Sequence, residues 1–234
     1  SGVAAVSARN AWAVGVTGTT RPRALILRWN GRSWTRVPSP GGYLSAVAAT
    51  SAGNAWAVGT GTSVSSGKPL ILRWNGTSWR PVPTPGTGPP EDPVLDGVAA
   101  TSARRAWAVG DSTNCGCGPG VSLTVRWDGR AWKRVPSPTL GGGTNLSGVA
   151  ALSARSAWAV GLTGSGDGPT RTQALRWDGT SWAKVPSPSP GASGGLYGVA
   201  ATSARSAWAV GFTSNRTRSR FETLILHWNG TAWK

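Results

Sequence analysis

The sequence predicts an all-β repeat fold, and three observations support this prediction. The stretch Ala-Trp-Ala-Val-Gly occurs five times in 234 residues, and an Asn-Gly or Asp-Gly pair follows each copy. Short runs of β-branched and aromatic residues lie between these motifs, which is typical of strands. The tryptophans of the five copies are about fifty residues apart, which indicates a repeat protein. They are Trp12, Trp56, Trp107, Trp158 and Trp208.

Each repeat holds four of these short runs, and no window shows the spacing of an amphipathic helix. In the third repeat the runs begin near Val98, Ala106, Ser122 and Arg130. Four strands per fifty residues is typical of one blade of a β-propeller. The sequence therefore predicts a single domain, a five-bladed β-propeller of four-stranded antiparallel blades. The predicted blades span residues 1-44, 45-95, 96-146, 147-196 and 197-234.

The Asn-Gly and Asp-Gly pairs predict a tight hairpin between the third and fourth strands of each blade. A two-residue type I′ turn would pair Trp29 with Arg32 and Leu27 with Trp34. Cross-strand partners share a face of the sheet. We therefore expect Leu27, Trp29 and Trp34 on one face and Arg28 on the other.

Alternation along the second strand predicts one bulky face and one flat face for each blade. Trp12 and Val14 point one way, and Ala11 and Ala13 point the other. A bulky face can pack against the flat face of the next sheet. We expect the blades to stack in this way.

The chain carries 24 Lys+Arg and 8 Asp+Glu, a net charge of +16. These charges are spread over all repeats, so we expect no specific nucleic-acid partner. They indicate either an arginine-rich surface or attraction to an anionic polymer such as one of the cell envelope. No stretch reaches the roughly 18 apolar residues of a membrane span. The chain opens inside a repeat, and we interpret it as part of a longer bacterial protein.

The repeat resembles those of secreted actinobacterial propeller proteins, through Ala-Trp-Ala-Val-Gly and the stretch from Arg73 to Trp79. This resemblance implies secretion and a propeller fold. The hairpin is distantly similar to the Asp-box of sialidase-type propellers, although Asp128 precedes Trp132 by four residues, not five. The Asp-box implies a structural role. Five repeats also resemble tachylectin-type lectins, which implies amino-sugar sites between blades.

Catalytic groups are scarce, and the sequence predicts no catalytic residue and no enzyme. His227 is the only histidine, and it stands where the other repeats have arginine, so we interpret it as a variant of that position. Glu91, Asp92 and Asp96 form either a glycosidase-like carboxylate pair or, more simply, a solvated loop. A glycosidase or lyase is therefore the least favoured function.

Cys115 and Cys117 supply two thiolates, fewer than the four ligands of a structural zinc site. They form either a local disulfide or a pair of free thiols. The sequence predicts no metal site and no cofactor.

The repeated and the variable loops are expected at opposite rims of the propeller. The variable loops join the second and third strands, and a site specific to this protein would be built from them. They span Val16–Arg23, Thr60–Lys68, Asp111–Gly120, Leu162–Thr172 and Phe212–Glu222.

The repeated Trp and Arg beside the hairpin turns are candidates for carbohydrate binding, because an indole stacks on a sugar ring and a guanidinium donates to hydroxyls. The alternative for the tryptophans is that they fill the space between blades, although they stand near the rim, where an indole can stay partly exposed. We predict a secreted, non-catalytic carbohydrate-binding module, the targeting part of a larger secreted protein or complex. The alternative is a protein-interaction scaffold that binds its partner through the variable rim. The candidate carbohydrate-binding residues are Trp29, Trp74, Trp127, Trp177, Trp228, Arg28, Arg73, Arg126 and Arg176.

Overall fold

A computed structural model describes residues 1–18, 23–61, 68–86, 92–113, 120–138, 143–164, 168–215 and 220–234. Within these ranges all regular secondary structure is β-strand, which confirms the predicted all-β class. These ranges contain no helix with the length and hydrophobicity that a membrane crossing requires. The strands are β1 (Gly2–Ser7), β2 (Asn10–Thr17), β3 (Arg23–Trp29), β4 (Trp34–Arg36), β5 (Tyr43–Ser51), β6 (Asn54–Thr60), β7 (Pro69–Trp74), β8 (Trp79–Pro81), β9 (Asp92–Ser102), β10 (Arg105–Thr113), β11 (Val121–Trp127), β12 (Trp132–Arg134), β13 (Gly143–Ser153), β14 (Ser156–Gly164), β15 (Arg171–Trp177), β16 (Trp182–Val185), β17 (Ser193–Ser203), β18 (Ser206–Ser214) and β19 (Phe221–Trp228).

The strands form five sheets in which consecutive strands are neighbours. The first four sheets hold β1–β4, β5–β8, β9–β12 and β13–β16, and the fifth holds β17–β19. An antiparallel bridge between Trp228 and Trp233 takes the place of a fourth strand in the fifth sheet. In the second to fifth sheets the first strand begins before the predicted blade boundary, because a bulge such as that between Leu44 and Ala46 lets it continue.

The described strands fall into two compact units. The first comprises residues 1–108 and 125–134, and the second comprises residues 109–124 and 135–234. In the first unit Trp12, Val14 and Ile26 of the first sheet pack in one core with Leu72 and Trp74 of the second. The predicted contact of a bulky face with a flat face is thus found between these two sheets.

The second unit repeats this packing between the fourth and fifth sheets. Trp158 and Val160 of the fourth sheet share a core with Ala209, Leu226 and Trp228 of the fifth. Each sheet therefore presents its bulky face to the flat face of the sheet that follows it within the unit.

The register confirms the predicted faces but not the predicted turn. Trp29 lies opposite Trp34 and Leu27 opposite Arg36, so four residues, not two, connect the strands. The reason is the Asn30 side chain, whose Oδ1 accepts the N–H groups of Arg32 and Ser33 at 2.9 and 3.0 Å. Such an Asx turn holds a longer loop. The error is two residues, so each side chain keeps its predicted face.

Two turns carry aspartate in place of asparagine. The N–H groups of Ser181 and Thr180 and the Thr180 hydroxyl lower the pKa of Asp178 to about 2. Lys133, 2.7 Å from a carboxylate oxygen of Asp128, and two backbone N–H groups hold the pKa of that carboxyl well below its usual range. In both turns the ionised carboxylate accepts these hydrogen bonds.

The last glycine of the Ala-Trp-Ala-Val-Gly motif lies where two strands approach closely. A Cβ on Gly161 would overlap the carbonyl oxygen of Asn145 and lie 2.8 Å from Cα of Leu146. The bulge after Leu146 brings this backbone inward. In the first sheet the corresponding Gly15 faces only the Ser1 side chain.

We expect Gly161→Ala to destabilise the protein by about 2 kcal/mol or more, since the neighbouring backbone must move. Gly15→Ala is the matched control, and its cost should stay below about 1 kcal/mol because the Ser1 side chain can move away. Guanidinium unfolding measures both variants. Equal costs would contradict the close approach as the reason for this glycine.

Acid should weaken the Asp178 turn. The folded pKa lies below the ordinary value of 3.8, so the stabilisation is present above about pH 4 and is lost as the pH falls through about 2. We expect Asp178→Asn to keep the turn and to reduce the loss of stability between pH 5 and pH 2, which unfolding curves measure.

The second sheet offers the reciprocal variant. Asn75→Asp should add acid sensitivity, because Asn75 accepts the N–H groups of Thr77 and Ser78 in the same turn. If neither variant changes the pH dependence of unfolding, these carboxylates do not contribute to it.

Candidate ligand-binding site

The tryptophans proposed for carbohydrate binding lie mostly in the packing between sheets. Partial exposure is not found for four of them, which are only 3–4% exposed, as the packing alternative expects. An indole of the preceding sheet packs against three of them, as Trp12 packs against Trp74 with ring centroids 4.8 Å apart. Trp29 is partly exposed. The four buried residues are Trp74, Trp127, Trp177 and Trp228.

The indole N–H groups of this series also have a structural partner. Trp74 Nε1 donates to the carbonyl oxygen of Ala52 at 3.0 Å, in the turn between the first and second strands. Trp29 donates in the same way to Ala8 at 2.9 Å. These bonds link the hairpin turn after the third strand to the turn between the first and second strands of the same sheet, as expected for turns that lie at one rim.

The arginines proposed for carbohydrate binding lie against the same indoles. Arg73 Cζ is 5.0 Å from the ring centroid of Trp56 and 5.5 Å from that of Trp127. Its Nη2 donates to the Ala103 carbonyl at 3.2 Å. Arg28 and Arg176 likewise lie over two rings each, and Arg126 lies over the Trp107 ring.

These contacts give the repeated Trp and Arg residues a packing role as cation–π pairs. A guanidinium held over two indoles and bonded to a carbonyl has fewer N–H groups left for sugar hydroxyls. Carbohydrate binding at these nine residues stays a prediction, and another site has to be considered.

His227 occupies the arginine position of the fifth sheet, as expected. It lies opposite Trp208 in the register and stacks on that indole, with ring centroids 4.4 Å apart and planes at 26°. Its Nε2 is 3.4 Å from the Ser206 hydroxyl. These contacts indicate that His227 has a structural role, in which its ring stacks on the Trp208 indole.

The remaining candidates for chemistry are scattered or lie outside the described residues. Cys115, Cys117 and Glu91 are outside them. Asp92 and Asp96 belong to strand β9, not to a loop. The described residues bring no three His, Cys, Asp or Glu side chains together in a way that could hold a metal ion.

A cavity of about 380 Å³ opens at the edge of the fifth sheet. It lies where the connector before β17 meets the loop between β18 and β19. We call it the fifth-sheet pocket. Its lining residues are Pro190, Gly191, Thr213, Ser214, Asn215, Arg220 and Glu222.

Hydrogen bonds hold the walls of the fifth-sheet pocket in place. Ala192 N–H donates to the Ser214 carbonyl at 2.9 Å, and the Thr213 hydroxyl donates to the Pro190 carbonyl. Arg220 N–H donates to Asn215 Oδ1 at 3.3 Å. The connector and the loop are therefore joined at their bases.

The polar groups of the fifth-sheet pocket can both donate and accept hydrogen bonds. Arg220 Nε lies 3.0 Å from Glu222 Oε1, and both side chains are exposed. The Ser214 hydroxyl is buried and has no hydrogen-bond partner among the described residues. The sequence signalled this site through the variable loop Phe212–Glu222 and through the connectors between blades, which are expected at the same rim. It did not show that Pro190 and Gly191, about twenty residues before this loop, would meet it.

Removing the stacked cation should cost stability. We expect Arg73→Ala to lower the free energy of unfolding by about 1–2 kcal/mol, since two indoles lose their cation. Arg73→Lys should recover part of this, because it keeps the charge without the planar group. Arg32→Ala, at an exposed turn position, is the control and should cost less than about 0.5 kcal/mol. A loss in Arg73→Ala no greater than in Arg32→Ala would contradict the stacking role.

No family model matches the sequence, and no curated protein matches it. Solved structures do match the fold. A fungal lectin from Aleuria aurantia, a six-bladed propeller that recognises fucose, aligns with a TM-score of 0.59 and 14% identity over 99% of this chain and 76% of its own. YCF48 bound to a D1 peptide aligns with a TM-score of 0.50 and 16% identity over 100% of this chain and 80% of its own.

An ulvan lyase of polysaccharide lyase family PL25 aligns with a TM-score of 0.58 and 10% identity over 96% of this chain. The chain spans 66% of the length of that lyase. Identities this low show the fold and nothing of the activity. The number of blades differs among such proteins, so five blades stay a prediction. The fold of the chain is that of a β-propeller.

Proposed function

We propose that this protein is a secreted, non-catalytic carbohydrate-binding module, and that a sugar binds in the fifth-sheet pocket. The observation that carries the proposal is the exposed Arg220–Glu222 pair beside Asn215 and Thr213 in one concave site. A volume of about 380 Å³ is at the small end of the range for ligand pockets. The proposal moves the sugar site from the repeated tryptophans to one variable loop and its neighbouring connector.

The polar groups of the pocket favour a neutral sugar. A carboxylate such as that of Glu222 can accept hydrogen bonds from two neighbouring hydroxyls, and the Arg220 guanidinium can donate to others. The same carboxylate would repel the acid group of a uronic or sialic acid. One site of this kind per chain predicts a stoichiometry of one.

In this proposal the net charge of +16 gives a second, weaker kind of binding that is separate from the sugar site. It would hold the protein near anionic polymers of the cell envelope and would not select a sugar. Such binding is screened by salt, whereas hydrogen bonds in a pocket are screened much less. The two kinds of binding can therefore be separated by experiment.

A non-catalytic role is proposed because the described acid and base groups do not converge. His227 stacks on Trp208, and its Nε2 lies 3.4 Å from the Ser206 hydroxyl. A general base requires a positioned substrate proton and, in a triad, an orienting carboxylate. Because a lyase is among the similar structures, an enzymatic function is the alternative to be tested.

The test is a glycan and polyanion array with the full chain, at low salt and again near 0.5 M salt, where charge attraction is largely screened. We expect a neutral glycan to bind under both conditions, and Glu222→Gln and Asn215→Ala to weaken it at least about tenfold, the scale of a lost hydrogen bond to a charged group. Isothermal titration with the selected sugar measures the affinity and the stoichiometry.

Arg23→Gln is the matched control, because it removes an exposed charge at the start of the third strand of another sheet. It should leave sugar binding unchanged. Binding that disappears near 0.5 M salt would leave only charge attraction and would contradict the pocket proposal. Release of a new reducing or unsaturated end from the bound glycan would contradict the non-catalytic role.

A further inference from the structure

The turn between the first and second strands of a sheet carries an exposed arginine. The sequence Ser-Ala-Arg stands at this turn in four of the five repeats, and Ser-Ala-Gly stands there in the second repeat. In the four arginine turns the serine Oγ accepts the N–H group of the arginine at 3.1 to 3.3 Å. These arginines are Arg9, Arg104, Arg155 and Arg205.

The stem of each turn arginine lies beside the hairpin turn of its own sheet. A Cβ on Gly31 would lie 2.9 Å from Cγ of Arg9, and a Cβ on Gly129 would lie 3.5 Å from Cβ of Arg104. An arginine of this kind packs its aliphatic stem on the protein and leaves its charged group in water. Packing on the turn therefore accounts for the stem of these side chains and not for their charge.

The first compact unit carries three more exposed arginines at the same turns. Arg105 follows Arg104, and the other two stand directly after a hairpin glycine. None of these guanidinium groups has a carboxylate partner among the residues that the structure describes. Asp128, in the third hairpin, is paired with Lys133 at 2.7 Å. We call the set the arginine rim, and it consists of Arg9, Arg32, Arg104, Arg105 and Arg130.

Contacts within the first unit place the three groups of turns side by side. Arg28 of the first sheet lies 5.4 Å from the ring centroid of Trp74 in the second. Arg73 of the second sheet donates to the Ala103 carbonyl in the turn of the third at 3.2 Å. Sheets packed face to face lie about 10 Å apart, so the rim extends over roughly 20 Å. Gly53 and the second hairpin separate its two groups of arginines.

We propose that the arginine rim binds a linear anionic polysaccharide. A guanidinium donates two parallel hydrogen bonds to an acidic group, which gives such contacts a defined geometry. Two cationic groups on either side of an uncharged turn fit a chain several sugars long that carries acidic groups at intervals. The proposal rests on the charge-driven binding in the proposed function and assigns it to particular residues, and it does not depend on the fifth-sheet pocket.

A polysaccharide is favoured over a single-stranded nucleic acid by the burial of the neighbouring indoles. Proteins that bind single strands stack the bases on exposed aromatic side chains. Trp74 and Trp127, which precede the second and third hairpins, are buried. The arginines at these turns can therefore contact acidic groups, but the indoles beside them cannot accept bases.

The second repeat offers a gain of binding as the first test. A Cβ on Gly53 would have no neighbouring atom within 4 Å, so Gly53→Arg should fold and should join the two groups of arginines. We expect it to strengthen binding of dextran sulfate at least about threefold, because it adds one charge to the site. Gly86→Arg is the matched control, since its Cβ position is also open and it adds the same charge in the connector after β8. It should change the affinity less than about 1.5-fold.

The second test removes charge from the rim. Arg9→Gln with Arg104→Gln should weaken dextran sulfate binding at least about tenfold and should make it less dependent on salt, because two charge-assisted contacts are lost. Arg23→Gln with Lys68→Gln removes the same charge at exposed positions at the other end of the third strands, and it should cost less than about threefold. Isothermal titration between about 50 and 200 mM salt measures both pairs, and circular dichroism checks that they are folded.

Several outcomes would overturn the assignment to the arginine rim. They are equal effects of rim and control variants, which would leave only net charge, no binding of dextran sulfate by the wild-type chain, and tighter binding of a single-stranded oligonucleotide of equal charge. Glu222→Gln should leave dextran sulfate binding unchanged, and the rim variants should leave neutral sugar binding unchanged. The rim and the sugar pocket can therefore fail independently.

Discussion

The structure depends on one repeated contact, in which an indole from the Ala-Trp-Ala-Val-Gly motif is enclosed by two tryptophans of the next sheet. Around Trp56, the rings of Trp127 and Trp132 lie at 5.0 and 5.1 Å, and Arg73 lies over the indole face. The second unit repeats the arrangement around Trp158. Offset and edge-to-face indoles bury a large area with few rotatable bonds. This contact is what allows short strands with little core of their own to form a stable array.

The same contact explains why the repeated residues are repeated. The alanines of the motif lie on the flat face, which also carries an indole pair and accepts one indole of the preceding sheet. The glycine of the motif admits the close approach seen between Gly161 and Asn145. The Asn or Asp of the hairpin fixes the loop that brings the fourth-strand tryptophan beside the third-strand one. Packing therefore accounts for the recurrence of these residues in the repeats. A property particular to this protein has to come from residues that differ between repeats, such as Arg220 and Glu222.

Much of the fold follows from the sequence because strand alternation and turn chemistry are local. The faces of Trp12, Leu27 and Trp29 could be predicted from alternation alone. The prediction of a two-residue turn was wrong because the Asn30 side chain accepts backbone N–H groups and thereby stabilises a longer loop. The preference of Asn-Gly pairs for two-residue turns does not take these side-chain hydrogen bonds into account. The burial of Trp74 is in keeping with the packing alternative for blades that stack, whereas the partial exposure of Trp29 could not be predicted, since it depends on the neighbouring sheet. The pocket itself could not be predicted either, because it forms only where Gly191 and Glu222 come together in the folded chain.

Trp208 shows that residue type alone does not decide how far a repeated side chain is buried. Its motif is identical to that of Trp12, yet one indole is half exposed and the other is buried. At this open position the stacked partner is His227, the one departure from arginine among the five repeats. A guanidinium over a single exposed indole keeps most of its hydration and gains little, whereas a flat imidazole can stack closely on the one ring present. The substitution is therefore in keeping with a position where the side chain stacks on one indole.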